Sequence, residues 1–121
     1  MTLEWLLTRG ARYRTNSMAR AYVYILTNRN HTTLYVGVTS QLVKRVVKHR
    51  NKYYPKSFSA RYNVNILVYY ECFDTMAEAI AREKQLKAGS RKKKIDLINK
   101  FNPEWQDLLE TLAHREESDR M

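Results

Sequence analysis

Two tyrosines, Tyr24 and Tyr35, stand in the alternating runs YVYILT and LYVGV, with ten residues between them. Behind them, LVKRVVKHR carries Arg45 and His49 four residues apart, on one line of a helix. Farther along, AIAREKQLKAG sets Glu83 among apolar helical positions. Brought together, these residue types suit phosphodiester hydrolysis. A tyrosine beside cations and a metal ion can have its pKa lowered enough to position or deprotonate water. An arginine fork holds a phosphate oxygen and offsets developing charge. A carboxylate is a hard ligand for Mg2+ or Mn2+, with phosphate oxygens and waters completing the shell. Such an ion neutralises the scissile phosphate and helps the leaving oxygen depart. Singly, each residue has a plainer role. Tyrosine packs in strands, Arg45 is a surface charge, and His49 caps or packs. Glu83 pairs with Arg45 or a lysine, or reaches water from an edge.

The elements that must position these groups follow from the pattern. YVYILT and LYVGV alternate as strands and NRNHT separates them as a turn, giving a hairpin. A turn centred between Arg29 and Asn30 places Tyr24 opposite Tyr35. Thr39 or Ser40 is placed to cap a helix over about 41–51, with Leu42 and Val46 facing inward. KYYPKSFSARYN reads as a loop or short irregular element, and NILVYYECF as a third strand. Thr75-Met76-Ala77-Glu78 matches a capping box opening a helix that ends near Gly89. On its wheel Met76, Ala79, Ile80, Leu86 and Lys87 share a face, with Glu83 near the centre of that arc. A carboxylate there is costly unless paired or metal-bound. A short helix covers 91–100. Asn102-Pro103 reads as a cap and first-turn proline for a last helix carrying Trp105, Leu108, Leu109 and Leu112. The tail AHREESDRM is expected to fray. The domain reading is an extension at 1–19, one domain at 20–112, and an acidic tail at 113–121.

Charge points to the partner. The chain has 121 residues and a net charge of +10, distributed unevenly. Residues 42–56 hold six Lys or Arg and no acid; residues 82–94 hold seven against Glu83 alone. Half of the twelve acids lie in the last 18 residues. A basic body with an acidic tail favours a polyanion, nucleic acid first, although an anionic membrane surface attracts the same patches. No stretch approaches the ~20 apolar residues of a membrane span. The N-terminal TLEWLLTRGARYR has too short an apolar part for a signal peptide. The lone Cys72 reads as a buried thiol, in keeping with a cytoplasmic protein.

The ordered combination resembles the GIY-YIG endonuclease superfamily. The first signature stands here as Val23-Tyr24-Ile25 with Tyr22 in place of the usual glycine, and the second as Tyr35-Val36-Gly37. VGVTSQLVKRVVKHR supplies Arg45 and His49, and AIAREKQLKAGSRKKKIDLI is similar to the helix bearing the family's metal-binding glutamate, here Glu83. The likeness spans about 20–110 and is nearest to the small single-domain branch, which ends in NPEWQDL-type segments. It implies an α+β fold, a small three-stranded antiparallel sheet flanked by helices. It also implies DNA cleavage with one divalent metal, Mg2+ or Mn2+, held by Glu83. By the same likeness Arg45 grips phosphate, and Tyr24, in preference to Tyr35, is the base. His49 relays a proton or positions a tyrosine. Asn102, or else Asn99, stands for the family's late asparagine, which supports the phosphate or the local structure.

Substrate follows less directly. Lys44, Lys48, Lys52, Lys56, Arg61, Arg91, Lys92 and Lys93 can hold phosphates without reading bases. Tyr53, Tyr54 and Phe58 stack on bases or pack the loop. DNA is the expected partner, with RNA the other candidate, and a second protein can supply targeting. Structure-selective cutting in repair or recombination is one expectation. A nucleic-acid-binding module with weak or lost chemistry is the alternative. A third reading has the basic face recruiting a protein or an anionic membrane.

Overall fold

The seven residues Ala21–Thr27 form β1, and every one of them is buried. A strand buried on both faces must lie between other strands and beneath helices on each side. The computed structural model, which describes residues 20–51 and 56–120, meets that requirement. β1 pairs antiparallel with β2 (Leu34–Thr39) on one side and with β3 (Ile66–Phe73) on the other, giving the order β2-β1-β3. Among the described residues five helices flank this sheet: α1 (Leu42–Arg50), the single turn α2 (Phe58–Arg61), α3 (Met76–Ala88), α4 (Arg91–Phe101) and α5 (Leu109–Arg120). The fold is therefore the expected α+β arrangement.

The pleat sorts the core into two halves. Val23, Ile25, Val36, Tyr69 and Phe73 meet Ala79, Leu86 and Ile98 of α3 and α4. Tyr22, Tyr24, Leu26, Leu67 and Cys72 meet Leu42 and Val46 of α1 and Leu109 and Leu112 of α5. Each such aliphatic side chain contributes roughly 1.5–3 kcal/mol on full burial. Cys72, the one cysteine of the chain, is buried in β3. Among the described residues, no helix is long and apolar enough to cross a membrane.

The hairpin register corrects one expectation. Tyr24 faces Gly37, and Tyr35 faces Leu26, so the pairing is displaced by two residues. The six-residue connection causes this. The Asn28 side chain gathers it, its Oδ1 accepting from the Thr32 and Thr33 amides at 2.8 and 3.2 Å. His31 then takes a positive φ of 57°. An even displacement preserves the face, so both tyrosines still point toward α1.

Three local expectations also change. Gln41 occupies the α1 N-cap without a capping bond from its side chain, while Thr39 Oγ1 accepts from the Gln41 amide at 3.1 Å. Asn102 closes α4 rather than opening the last helix. Residues 102–108 form a loop in which Trp105 has φ 54°, and α5 starts at Leu109, where Asp107 Oδ1 accepts from the Leu109 amide at 3.1 Å. The tail expected to fray continues α5 to Arg120. By contrast the Thr75 cap forms as read, its hydroxyl accepting from the Glu78 amide at 3.2 Å. Residues 1–19 and Lys52, Tyr53 and Tyr54 lie outside the described residues.

Candidate phosphodiester site

Gly37 sets the position of the central group. Tyr24 extends from β1 across β2, and its ring end occupies the space that any side chain at 37 would need. A Cβ built on Gly37 would lie 2.4 Å from both Cζ and the hydroxyl oxygen of Tyr24. The glycine of YVG is thus the slot for the other signature's tyrosine. Tyr24 is 1% exposed. Its hydroxyl and His49 Nε2 are 3.1 Å apart. Tyr35 completes the cluster: its ring centroid is 6.3 Å from Tyr24 and 5.4 Å, edge-on, from His49.

α1 brings His49 and Arg45 to this cluster because residues four apart share a helix face. Leu42 and Val46 anchor that helix to the sheet, and His49 is buried beside them. Burial, first, and then the Arg45 charge push the His49 pKa below the ordinary histidine value. Its imidazole is therefore neutral at neutral pH. Burial also holds the Tyr24 phenol far above the ordinary tyrosine value; Tyr35 adds to this, Arg45 opposes it, and Glu83 adds a smaller upward push. The same interactions place Arg45 and Glu83 within electrostatic reach of the Tyr24 hydroxyl.

The apolar face expected of α3 is only partly buried. Ala79 and Leu86 form the buried line of α3, while Met76 and Ile80 are exposed. Glu83 lies on that same line, four residues after Ala79 and three before Leu86, its side chain 16% exposed, with Lys87 Nζ at 3.5 Å. Its partner is an exposed lysine one turn along, so the carboxylate borders solvent. Among the described residues no three His, Cys, Asp or Glu gather. The donor set fits a Mg2+-type ion held by one carboxylate, water and phosphate oxygens, and does not fit a closed all-protein metal centre.

The basic residues divide between regions. Lys44 and Lys48 join Arg45, Thr39, Ser40 and Gln41 around a cavity of about 190 Å3 at the start of α1. Lys56 and Arg61 flank Phe58, whose ring stacks on Tyr35 at 6.1 Å, so they border the tyrosine side of the sheet. Arg91, Lys92 and Lys93 lie at the start of α4, which packs against the other face. Arg91 donates to the His31 carbonyl at 3.2 Å, and Lys92 pairs with Asp96 at 3.1 Å. Asn102 is buried, its Nδ2 donating to the Val68 and Gln106 carbonyls at 3.2 and 2.7 Å. Its Oδ1 accepts from the Gln106 amide at 3.1 Å. Those bonds brace the 102–108 loop against β3. Asn99, the other candidate, accepts from the Trp105 indole at 2.7 Å.

Sequence reasoning missed a buried ion pair. Glu71, 1% exposed in β3, receives Arg82 of α3 as a fork, Nε to Oε1 at 3.0 Å and Nη2 to Oε2 at 3.0 Å. The Tyr69 hydroxyl donates to the same carboxylate. The available signal was an acid inside the apolar strand ILVYYECF, with an arginine beside Glu83 to match it. The pair pins α3 at the residue adjoining Glu83.

A three-stranded sheet that aims two tyrosines, a histidine and an arginine at one edge, with a helix-borne glutamate near them, defines a GIY-YIG-type domain. The GIY-YIG catalytic domain matches residues 20–96, and the chain belongs to that family. It is 40% identical to a UPF0213 protein of Staphylococcus saprophyticus, over 68% of this chain and 98% of that one. A UPF0213 protein of Syntrophus aciditrophicus is 37% identical, over 72% and 98% respectively. The solution structure of a UPF0213 protein from Bacillus halodurans has 29% identity and a TM-score of 0.46, over 72% of this chain and 90% of that one.

Proposed function

We propose that this chain is a nucleic-acid phosphodiesterase of the endonuclease type, with DNA as its substrate. The carrying observation is the contact of the buried Tyr24 hydroxyl with a neutral His49, beside Arg45 and within reach of Glu83. A neutral imidazole can take the phenol's proton, and the phenol oxygen can take one from water. That water forms a bond to phosphorus as the bond to the leaving oxygen breaks. Arg45 holds phosphate and Tyr35 orients the water or phosphate, while Lys44 and Lys48 receive a neighbouring phosphate. Glu83 would hold Mg2+ or Mn2+, which supplies charge neutralisation at the phosphate when bound. The buried thiol and the basic surface are in keeping with a cytoplasmic setting among nucleic acids.

One observation favours a second reading, a binding module with weak chemistry. Glu83 already pairs with Lys87, and the Tyr24 phenol is held firmly protonated. A panel of labelled duplex, single-stranded, flapped and branched DNA, with Mg2+ or Mn2+, decides between them. Cleavage by the parent but not by Glu83→Ala, with binding retained, supports the phosphodiesterase. Salt-sensitive binding without cleavage supports the module. Equal cutting by both proteins removes Glu83 from the chemistry.

A further inference from the structure

A cleft of about 310 Å3 opens between α3 and α4, against the sheet face opposite Tyr24. Arg82, Lys93, Lys94 and Lys100 line it, together with the side chains of Gln85, Leu86, Asp96 and Leu97. Its cations are not equivalent. Arg82 is committed to Glu71, and Lys94 Nζ donates to the Gly89 carbonyl at 2.9 Å. Lys93 and Lys100 are exposed and have no ion-pair or hydrogen-bond partner for their ammonium groups among the described residues. Two uncommitted ammonium groups at the mouth of a pocket attract a compact dianion more strongly than a dispersed chain of charge. The interior has a different character. Leu86 is buried and Leu97 half-buried, so the floor is apolar. Gln85 spends its Oε1 on Arg82 at 2.6 Å, which leaves its amide hydrogens to donate. Asp96, 52% exposed and joined to Lys92, keeps carboxylate capacity for a hydroxyl or amine.

We infer that this α3–α4 cleft is a nucleotide-binding site, separate from the Tyr24 site, taking a phosphate on Lys93 and Lys100 and a base over Leu86 and Leu97. A phosphate alone would use the lysines and leave the apolar floor wet. An apolar ligand alone would face uncompensated ammonium groups. A nucleotide satisfies both halves, and the volume suits one small ligand rather than a duplex. The nucleotide is either free or one residue of a polynucleotide. The inference rests on the cleft's lining and does not require the phosphodiesterase reading.

Uniformly 15N-labelled full chain, titrated by NMR with adenosine monophosphate, with inorganic phosphate and with a short oligothymidylate, tests this. The expected result is saturable shifts at the amides of Gln85, Gly89, Leu97 and Lys100. Adenosine monophosphate should saturate them at about tenfold lower concentration than phosphate. Lys100→Glu reverses one exposed charge and should weaken that binding at least about tenfold, while its spectrum keeps the parent's dispersion. Leu97→Gln should erase the preference for the nucleotide over phosphate. With both binding more tightly than phosphate, saturation by the oligonucleotide at a lower concentration than by adenosine monophosphate identifies a polynucleotide source, and the reverse order identifies a free nucleotide. Each of these supports the site. Equal affinity for phosphate and nucleotide overturns the assignment, as does an unchanged affinity in Lys100→Glu. Shifts confined to Tyr24, Tyr35, Arg45 and His49 overturn it too, and concern only the other site.

Discussion

Gly37→Ala is the most direct test of how the site is built. The added methyl meets Tyr24 Cζ and Oη at 2.4 Å, whereas ordinary contact begins at 3.4 Å. The ring end or the β2 backbone must therefore yield by about 1 Å, the difference between those two distances. Tyr24 has little room, being 1% exposed with Tyr35 and His49 against it. Overpacking of this kind costs about 1–3 kcal/mol, and loss of the 3.1 Å contact with His49 adds about 1 kcal/mol. Urea denaturation should accordingly show a loss of roughly 2–4 kcal/mol. A displacement near 1 Å at a reacting group should also lower the proposed cleavage rate about 100-fold. The decisive comparison is the same substitution in a Tyr24→Leu background, where neither Cζ nor the hydroxyl is present. There the methyl should cost less than about 0.5 kcal/mol, because the two effects share one contact. An undiminished cost in that background would refute the slot argument. So would a Gly37→Ala protein with unchanged stability.

Three further outcomes follow from the same geometry. Arg82→Ala strands the buried Glu71 carboxylate and should lower stability by about 3–5 kcal/mol, whereas Arg82→Met with Glu71→Leu should restore most of it, both measured in urea. His49 has its pKa lowered in the fold by burial and Arg45, so its contribution to stability is complete above pH 6.5. That contribution is lost as pH falls from there toward the lowered folded value, and His49→Gln should flatten stability against pH in this window. Lys87→Ala removes a half-exposed competitor for Glu83; stability should change by less than about 0.5 kcal/mol. In the same variant, Mn2+ binding followed by electron paramagnetic resonance should tighten about threefold, an increment absent when Glu83→Ala is combined with it.

Two kinds of information in the chain behave differently here. Residue type and helical spacing survive folding almost unaltered, which is why Arg45 and His49 reach Tyr24 as the i,i+4 pattern implies. The strands were equally visible, since alternation over 22–27 and 34–38 needs no partner to be recognised. Pairing depends on the turn, and NRNHTT offers no two-residue signal such as Asn-Gly to centre it. Asn28 hydrogen bonds and the positive φ at His31 centre it instead, two residues away from the expected alignment. The last helix failed for a related reason. Asn102-Pro103 has the residues of a helix start, but the Asn102 side chain serves the Val68 and Gln106 backbone, and the chain turns through Trp105 before helix resumes.

The Glu71–Arg82 pair was harder to read because both faces of β3 are covered, so alternation does not distinguish a solvent-facing acid from a buried one. Its consequence reaches the site. Arg82 is fixed by a buried fork, and the next residue is the carboxylate proposed to hold a metal. A surface helix would leave Glu83 free to drift along the sheet edge. One anchored at the preceding residue has its rotation set by a bond that is costly to break. The same anchoring presents Gln85 and Leu86 to the cleft on the other side. Removing the anchor should therefore disturb both ends of the chemistry together, metal affinity at Glu83 and nucleotide affinity between α3 and α4. Full retention of both would mean that α3 is held by its apolar face alone.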